Sequence, residues 1–360
     1  MPNRLKAIQN PLKEKALDAF IVTNPVNIYY LSGFRGISPT ERESMLIVTT
    51  KKSILIAPKL YIEEAKKLKS PSLTIEIVTE RDQLKNAIQK TLSQSKKIGF
   101  EKDDLKYGEY LSIKKLLKGA RLTAREAFVE NLRLIKTPDE ISKIEKAQTI
   151  SQKAFEKLTS TIKIGQTEAE IAQKLEEIMI SFGADKIAFE TIVAAGPNSS
   201  RPHYTTGKTK IKKGDVLLFD FGAKLQDYCA DISRTIFIGK PTDEKRNIYN
   251  HVQNAQNAAI KSISYGSKTH HAYHAANDHF KNLNLHDYFT HGLGHGIGLE
   301  VHEKPHLRPS NKDELKENMV FSIEPGLYMP WGGVRIEDLF TIKNGKAKIL
   351  GKASGFLQIL

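Results

Sequence analysis

The stretch Val216-Leu217-Leu218-Phe219-Asp220-Phe221-Gly222-Ala223-Lys224-Leu225-Gln226-Asp227-Tyr228-Cys229-Ala230-Asp231-Ile232-Ser233-Arg234-Thr235-Ile236-Phe237-Ile238 decides how the second half of this 360-residue chain is read. The apolar and β-branched runs at its two ends have the composition of strands, and the polar Lys224 to Asp227 segment has that of a turn. An acid stands at the inner end of each run: Asp220 and Asp231. A hairpin about Leu225-Gln226 makes these two cross-strand partners on one face, with Cβ atoms about 5 Å apart. Carboxylates so placed repel unless a cation lies between them. The alternative, a pair of exposed strand ends, sits poorly with their apolar neighbours.

Further along, His291-Gly292-Leu293-Gly294-His295-Gly296-Ile297-Gly298-Leu299-Glu300-Val301-His302 has glycine at every second position from 292 to 298. That pattern disfavours a helix and fits an extended path approached closely by other groups. His291 and His295 then share a face, as a metal ligand and proton donors or as solvated loop histidines. Glu324 ends the run Met319 to Ile323, and Glu337 follows Val334-Arg335-Ile336. Singly, each glutamate reads as a satisfied strand-end charge; as a set with Asp220, Asp231 and His295, they carry about four negative charges that two divalent cations would neutralise.

Other histidines are read more plainly. His302-Glu303-Lys304-Pro305-His306 matches the H-E-x-x-H zinc pattern, but that motif needs a helix and Pro305 breaks one. His270, His271 and His274 fall on a helix with Asp278 as its only acid, so a solvated face is preferred to a second metal site. His203 follows a strand and the Gly196-Pro197-Asn198 turn, where a loop can deliver it to a cleft.

Lys and Arg total 55 against 41 Asp and Glu, a net charge of +14. The lysines are dispersed, and the densest stretches, Lys66 to Lys69 and Lys208 to Lys213, interleave no aromatic residues, so a solvated surface is read in preference to nucleic-acid binding. No run approaches the roughly 18 apolar residues of a membrane span. The start lacks the apolar centre of a secretory signal, and the single Cys229 fits a reducing compartment, as a small buried filler rather than a reactive thiol. A cytoplasmic protein with no membrane partner is expected.

The first part alternates strand-like runs (Phe20 to Thr23, Ser44 to Thr49, Ser53 to Ala57, Leu73 to Val78, Ile98 to Glu101) with helical patterns (Tyr61 to Lys69, Arg81 to Ser95, Gly108 to Lys118), as an α/β domain does. Thr137-Pro138-Asp139-Glu140 has the form of a capping box opening a long helix with Ile141, Ile144, Ala147, Ala154 and Leu158 inward. Thr167-Glu168-Ala169-Glu170 opens another, with Ile171, Leu175, Ile178 and Phe182 inward until Gly183 ends it. Strands are expected at Ile187 to Ala195, Val216 to Phe221, Tyr228 to Ile238, Met319 to Ile323 and Val334 to Ile342, and helices at Thr242 to Ser264 and Lys268 to Leu283. The boundary falls near residue 128, giving domains 1–128 and 129–360, the second an α+β unit.

Asp220-Phe-Gly with Asp231-Ile-Ser-Arg-Thr, His291-Gly-Leu-Gly-His295 leading to Val301-His302-Glu303, Ile323-Glu324-Pro-Gly and Gly333-Val-Arg-Ile-Glu337-Asp resemble, in order and spacing, the aminopeptidase P and prolidase metallopeptidases. Asn27-Ile-Tyr-Tyr-Leu-Ser-Gly-Phe34 resembles the same group's N-terminal domain. The resemblance implies a creatinase-like α/β domain before a pita-bread catalytic domain, and two divalent ions, manganese first, with cobalt or zinc as alternatives. By it, Asp231 and Glu337 bridge the two ions, Asp220 completes one site, and His295 with Glu324 completes the other. Glu324 would also shuttle a proton, His302 and His203 stabilise the carbonyl oxygen, His291 line the position after the scissile bond, and Arg335 orient Glu337. The implied substrate is a short peptide with proline at its second position, and the implied assembly a homodimer.

Some prolidases hold the substrate carboxylate with an arginine four residues after the histidine that corresponds to His302. Here that position is His306, with Arg308 beyond it. The departure tilts the reading toward an Xaa-Pro aminopeptidase, with an Xaa-Pro dipeptidase as the alternative. A methionine aminopeptidase and a metal-free, non-catalytic relative come after these.

Overall fold

The computed structural model describes residues 4–36, 43–68, 70–353 and 357–360. The chain divides into two compact units, Met1–Arg133 and Leu134–Leu360.

In the first unit six strands form one mixed sheet: β1 (Ala19–Val22), β2 (Met45–Thr49), β3 (Ser53–Pro58), β4 (Leu73–Val78), β5 (Lys97–Glu101) and β6 (Arg121–Arg125), in the order β4-β3-β2-β1-β5-β6. The pairs β1–β2 and β2–β3 are antiparallel and the rest parallel. Ile21, Ile47, Ile54, Ile56 and Ile98 pack against Ile88, Leu92 and Ile113 of the helices Arg81–Leu92 and Tyr107–Leu116. Only the last strand was not expected, because its two arginines and partial exposure hide the alternation. A helix at Pro25–Ser32 was also not assigned, although its punctuation is visible: Asn24 caps it, Pro25 opens it and Gly33 closes it at φ 80°. The helix expected over Tyr61 to Lys69 is a 3₁₀ turn, Lys59–Tyr61, and a short helix, Ile62–Lys66; Lys69 lies outside the described residues.

The second unit opens as expected at the Thr137–Glu140 capping box, with the helix Pro138–Thr159, and again at Thr167–Glu170, with the helix Glu168–Ser181. Phe182 is 43% exposed rather than inward, because the helix has ended and buried Met179 fills that stripe. The strands are β7 (Lys186–Ile187), β8 (Ile192–Ala195), β9 (Val216–Phe221), β10 (Ala223–Leu225), β11 (Tyr228–Cys229), β12 (Ile232–Phe237), β13 (Gly294–Gly296), β14 (Glu303–Leu307), β15 (Val320–Ile323), β16 (Gly326–Met329), β17 (Gly332–Arg335), β18 (Asp338–Lys343), β19 (Lys346–Ile349) and β20 (Gln358–Ile359). One sheet runs β20-β12-β9-β8 and another β14-β13-β15-β18-β19. The helices Pro138–Thr159 and Glu168–Ser181 bury Phe155, Leu158, Ile171 and Leu175 on the first. The helices Asp243–Ser262 and Thr269–Lys281 bury Val252, Ala259, Ala276 and Phe280 on the second.

Expectations of register and of strand continuity are corrected. Asp220 pairs with Ser233, not Asp231. The chain reverses at Gln226-Asp227, both at positive φ (48° and 71°), one residue later than expected, so Asp231 is a diagonal neighbour of Asp220 on the same face. Three expected strands are interrupted: Ile187 to Ala195 between β7 and β8, which join different sheets, Tyr228 to Ile238 at Ala230-Asp231, and Val334 to Ile342 at Ile336-Glu337. The last two breaks fall on a buried acid.

Candidate metal centre

Strand alternation aims the acids. Along β9, Leu217, Phe219 and Phe221 face the helix-side core, which leaves Asp220 on the opposite face; along β12, Ile232 and Ile236 take the core side and Ser233 the other. On β15, Phe321 and Ile323 go to the second core, leaving Ser322 and then Glu324 on the other side. Gly294 lets His295 join them. A Cβ there would lie 2.1 Å from the Ser322 carbonyl oxygen, so only glycine admits this approach of β13 to β15.

The result is a tight polar cluster. His295 Nε2 lies 3.3 Å from Glu324 Oε1 and 3.6 Å from Asp231 Oδ2. Its Nδ1 faces the Gly296 carbonyl oxygen at 3.1 Å, which fixes the tautomer that leaves Nε2 for the acids. One ligand atom each from Asp231, His295 and Glu337 lie within 4.8 Å of one another. Asp220 and Glu324 complete the group, since each is felt electrostatically by Asp231 and Glu337. Among the described residues this is the one trio of ligand-type side chains close enough for a single ion; the His270, His271 and His274 group forms no second.

The cluster is electrostatically frustrated as protein alone. Burial, then the charges of Glu337, Asp220 and Glu324, pushes Asp231 well above the usual carboxylate range. Burial, then Glu324 and Asp220, does the same to Glu337. Burial also raises Asp220, against the pull of the Arg335 guanidinium. Burial opposes charge on both Glu324 and His295, but their mutual hydrogen bond and attraction win, holding Glu324 down at about 2 and His295 up at about 9. Asp231 Oδ1 and Glu337 Oε1 are buried with no hydrogen-bond partner. Buried carboxylate oxygens left unpaired amid like charges are what cations resolve. Four carboxylates and one imidazole form a mainly oxygen donor set that suits manganese, cobalt or zinc. The residues fit divalent cations.

Around the cluster, Arg335 contacts more than the Glu337 it is expected to orient. Its Nη2 pairs directly with Asp220 Oδ2 at 2.6 Å. It reaches Glu337 only through Ser233: Nε donates to Ser233 Oγ at 2.6 Å, and that hydroxyl donates to Glu337 Oε2 at 2.8 Å. Arg335 Nη1 also donates to Tyr328 Oη at 3.0 Å, and Tyr328 in turn lies 2.8 Å from His291 Nε2. The Gly292 carbonyl takes the His291 Nδ1 proton, so Nε2 is the acceptor, and burial depresses the His291 pKa. The His302 ring lies against that of His295, tilted by 56° with centroids 4.2 Å apart, and burial followed by the charge on His295 pushes its pKa down to about 4. His203 is exposed in a turn, close enough to oppose protonation of His291 and His302. Ser233, Ser322, which donates to Glu324 at 3.1 Å, and Tyr328 were not read from the sequence. Their signal is position alone, two residues from Asp231 and Glu324 or across a hairpin from Arg335. Cys229 is buried, its thiol pushed up to about 11 by burial, and is chemically quiet.

Residues 142–344 match the family described as "Metallopeptidase family M24", and residues 4–135 match the "Creatinase/Prolidase N-terminal domain". The chain belongs to metallopeptidase family M24. Among similar M24 proteins, an Xaa-Pro dipeptidase of Pyrococcus furiosus is 37% identical over 354 residues, 98% of each chain. The structure of an Xaa-Pro dipeptidase from Bacillus anthracis superposes with a TM-score of 0.93 at 32% identity, covering 99% of both chains. That of an X-Pro aminopeptidase from Thermotoga maritima gives 0.86 at 32% identity, covering 96% of this chain and 98% of that one. The architecture is a creatinase-type α/β domain followed by a pita-bread M24 catalytic domain, and the protein is a metallopeptidase.

Proposed function

We propose that this M24 enzyme is an Xaa-Pro dipeptidase holding two divalent cations, manganese in the first instance, among Asp220, Asp231, His295, Glu324 and Glu337. The observation that carries the substrate assignment is the full-length likeness to proteins named Xaa-Pro dipeptidase. It moves the reading from the aminopeptidase expected first to the dipeptidase held as its alternative.

When bound, such ions supply Lewis acidity to the scissile carbonyl and acidify a water. The chain does the rest. Glu324, held at about 2, is ionised at neutral pH and can take up a proton from water and return it to the leaving nitrogen. His302, pushed down to about 4, is neutral and can donate a ring N–H to the carbonyl oxygen as charge develops. His291, fixed between Gly292 and Tyr328, bounds the far side of the scissile bond. The bond before proline is a tertiary amide, so the site need offer no acceptor for an amide proton.

One observation favours the aminopeptidase instead: His306, opposite His295 in the β13–β14 ladder, stands where an arginine was looked for. Turnover of Ala-Pro against Ala-Pro-Ala and Met-Ala, on manganese-loaded protein, decides among them. We expect Ala-Pro to have the highest kcat/KM; preference for the tripeptide returns the aminopeptidase, and preference for Met-Ala a methionine aminopeptidase. We place the enzyme in the cytoplasm as a homodimer, the latter checked by light scattering.

A further inference from the structure

His302 is poised against His295, yet among the described residues no hydrogen bond holds its ring. Its place is therefore set by its backbone. That backbone lies at the end of the Gly296–Glu303 loop between β13 and β14, where the ladder is irregular: His295 faces His306, but Gly296 faces Glu303. An irregular loop carrying an untethered ring needs anchoring from outside.

The anchor is Glu303, which is 8% exposed. Its Oε1 accepts from the Glu300 backbone N–H at 3.1 Å, closing the loop on itself. Its Oε2 meets Lys136 Nζ at 3.1 Å, and Lys136 is 3% exposed. Lys136 is fixed in turn, its backbone N–H donating to the Asn318 carbonyl at 2.9 Å. Gly298 leaves the room: a Cβ there would stand 2.9 Å from the Glu303 carboxylate. Two more bonds pin the same loop, from Cys229 N–H to Gly298 O at 2.8 Å and from Lys224 Nζ to Leu299 O at 3.0 Å. A buried ion pair stabilises a fold no better than an apolar pair of equal volume, because desolvation offsets the attraction. Its location one peptide bond from His302 gives it another use. We propose that the Lys136–Glu303 pair is the positioning device for His302, holding the loop so that the imidazole stays beside His295 and faces the scissile carbonyl.

The inference rests on the proposed peptidase reaction, so its test has an arm that does not need turnover. The double variant Lys136→Met/Glu303→Leu removes both charges of the pair together. We expect it to melt within about 5 °C of wild type, to bind metal normally, and to lose about 10- to 100-fold in kcat with KM within about twofold. In a His302→Ala background the same pair of substitutions should cost less than about twofold, because the group being positioned is gone. Lys136→Arg, which keeps the pair, should restore most of the rate. Amide exchange at 298–302 should accelerate in the double variant. Wild-type kcat in the folded double variant, or an equal loss with and without His302, overturns the proposal. Glu303→Gln, which keeps the Glu300 contact, serves in the same way if the double variant does not fold. If loaded wild type cleaves no Xaa-Pro peptide, the proposed reaction fails, and unchanged exchange at 298–302 separately overturns the positioning role.

Discussion

At the scale of the residue, the five clustered groups were legible because a charge inside an apolar strand is costly and asks for an explanation. Ser233, Ser322 and Tyr328 were not, because a hydroxyl in a strand is ordinary and only the three-dimensional register shows which carboxylate it touches. Asp231→Asn and Glu337→Gln should each lower bound metal below two equivalents and cut kcat/KM at least about a thousandfold, checked by elemental analysis beside kinetics. Ser233→Ala frees both Arg335 Nε and Glu337 Oε2. It should weaken metal affinity about 10- to 100-fold, measured by competition with a chelating dye. His302→Gln should reduce kcat about 100-fold without moving the acidic limb of the pH–rate profile, since His302 is already neutral above about 4. A shifted limb would assign that limb to His302 and contradict its low pKa.

At the scale of the element, the two capping boxes were readable from spacing alone and both form. Thr137→Ala removes the hydroxyl that accepts the Glu140 N–H. It should cost about 1 kcal/mol and a few degrees of melting temperature, with KM for Ala-Pro unchanged; a changed KM would tie that helix to the site. The hairpin was legible as a hairpin but not in register, because Gln226 gives no warning that it will adopt a positive φ. The breaks at Asp231 and Glu337 were hidden for a similar reason: the apolar pattern continues through both while the ladders stop. The β16–β17 hairpin was missed, since Pro325, Gly326, Gly332 and Gly333 read as loop.

At the scale of the whole molecule, the order and spacing of the acid- and histidine-bearing motifs carried the fold class, because one pocket draws its groups from segments more than a hundred residues apart. The proposed dipeptidase reading was not the one the sequence favoured, since His306 stands where some prolidases carry an arginine and that departure pointed to an aminopeptidase. Pooling these charges also ties stability to pH. His295, raised to about 9 from its ordinary 6.5, favours the fold fully below about pH 6.5 and loses that contribution as pH rises through 9. Asp231 and Glu337, also raised, act in the same direction, their contribution fading as they ionise. Metal-stripped protein should therefore melt lower at pH 9 than at pH 6.5, while manganese-loaded protein should melt at nearly the same temperature at both; equal melting of the stripped protein at the two values would show that the cluster is not strained by its own charge. The most direct measurement is a manganese titration of stripped protein, with bound metal and Ala-Pro hydrolysis followed together. The account predicts activity that rises to a plateau at two equivalents per chain in the wild type and is absent from Asp231→Asn at the same loading; full activity without bound metal, or unimpaired metal binding and turnover in that variant, would contradict it.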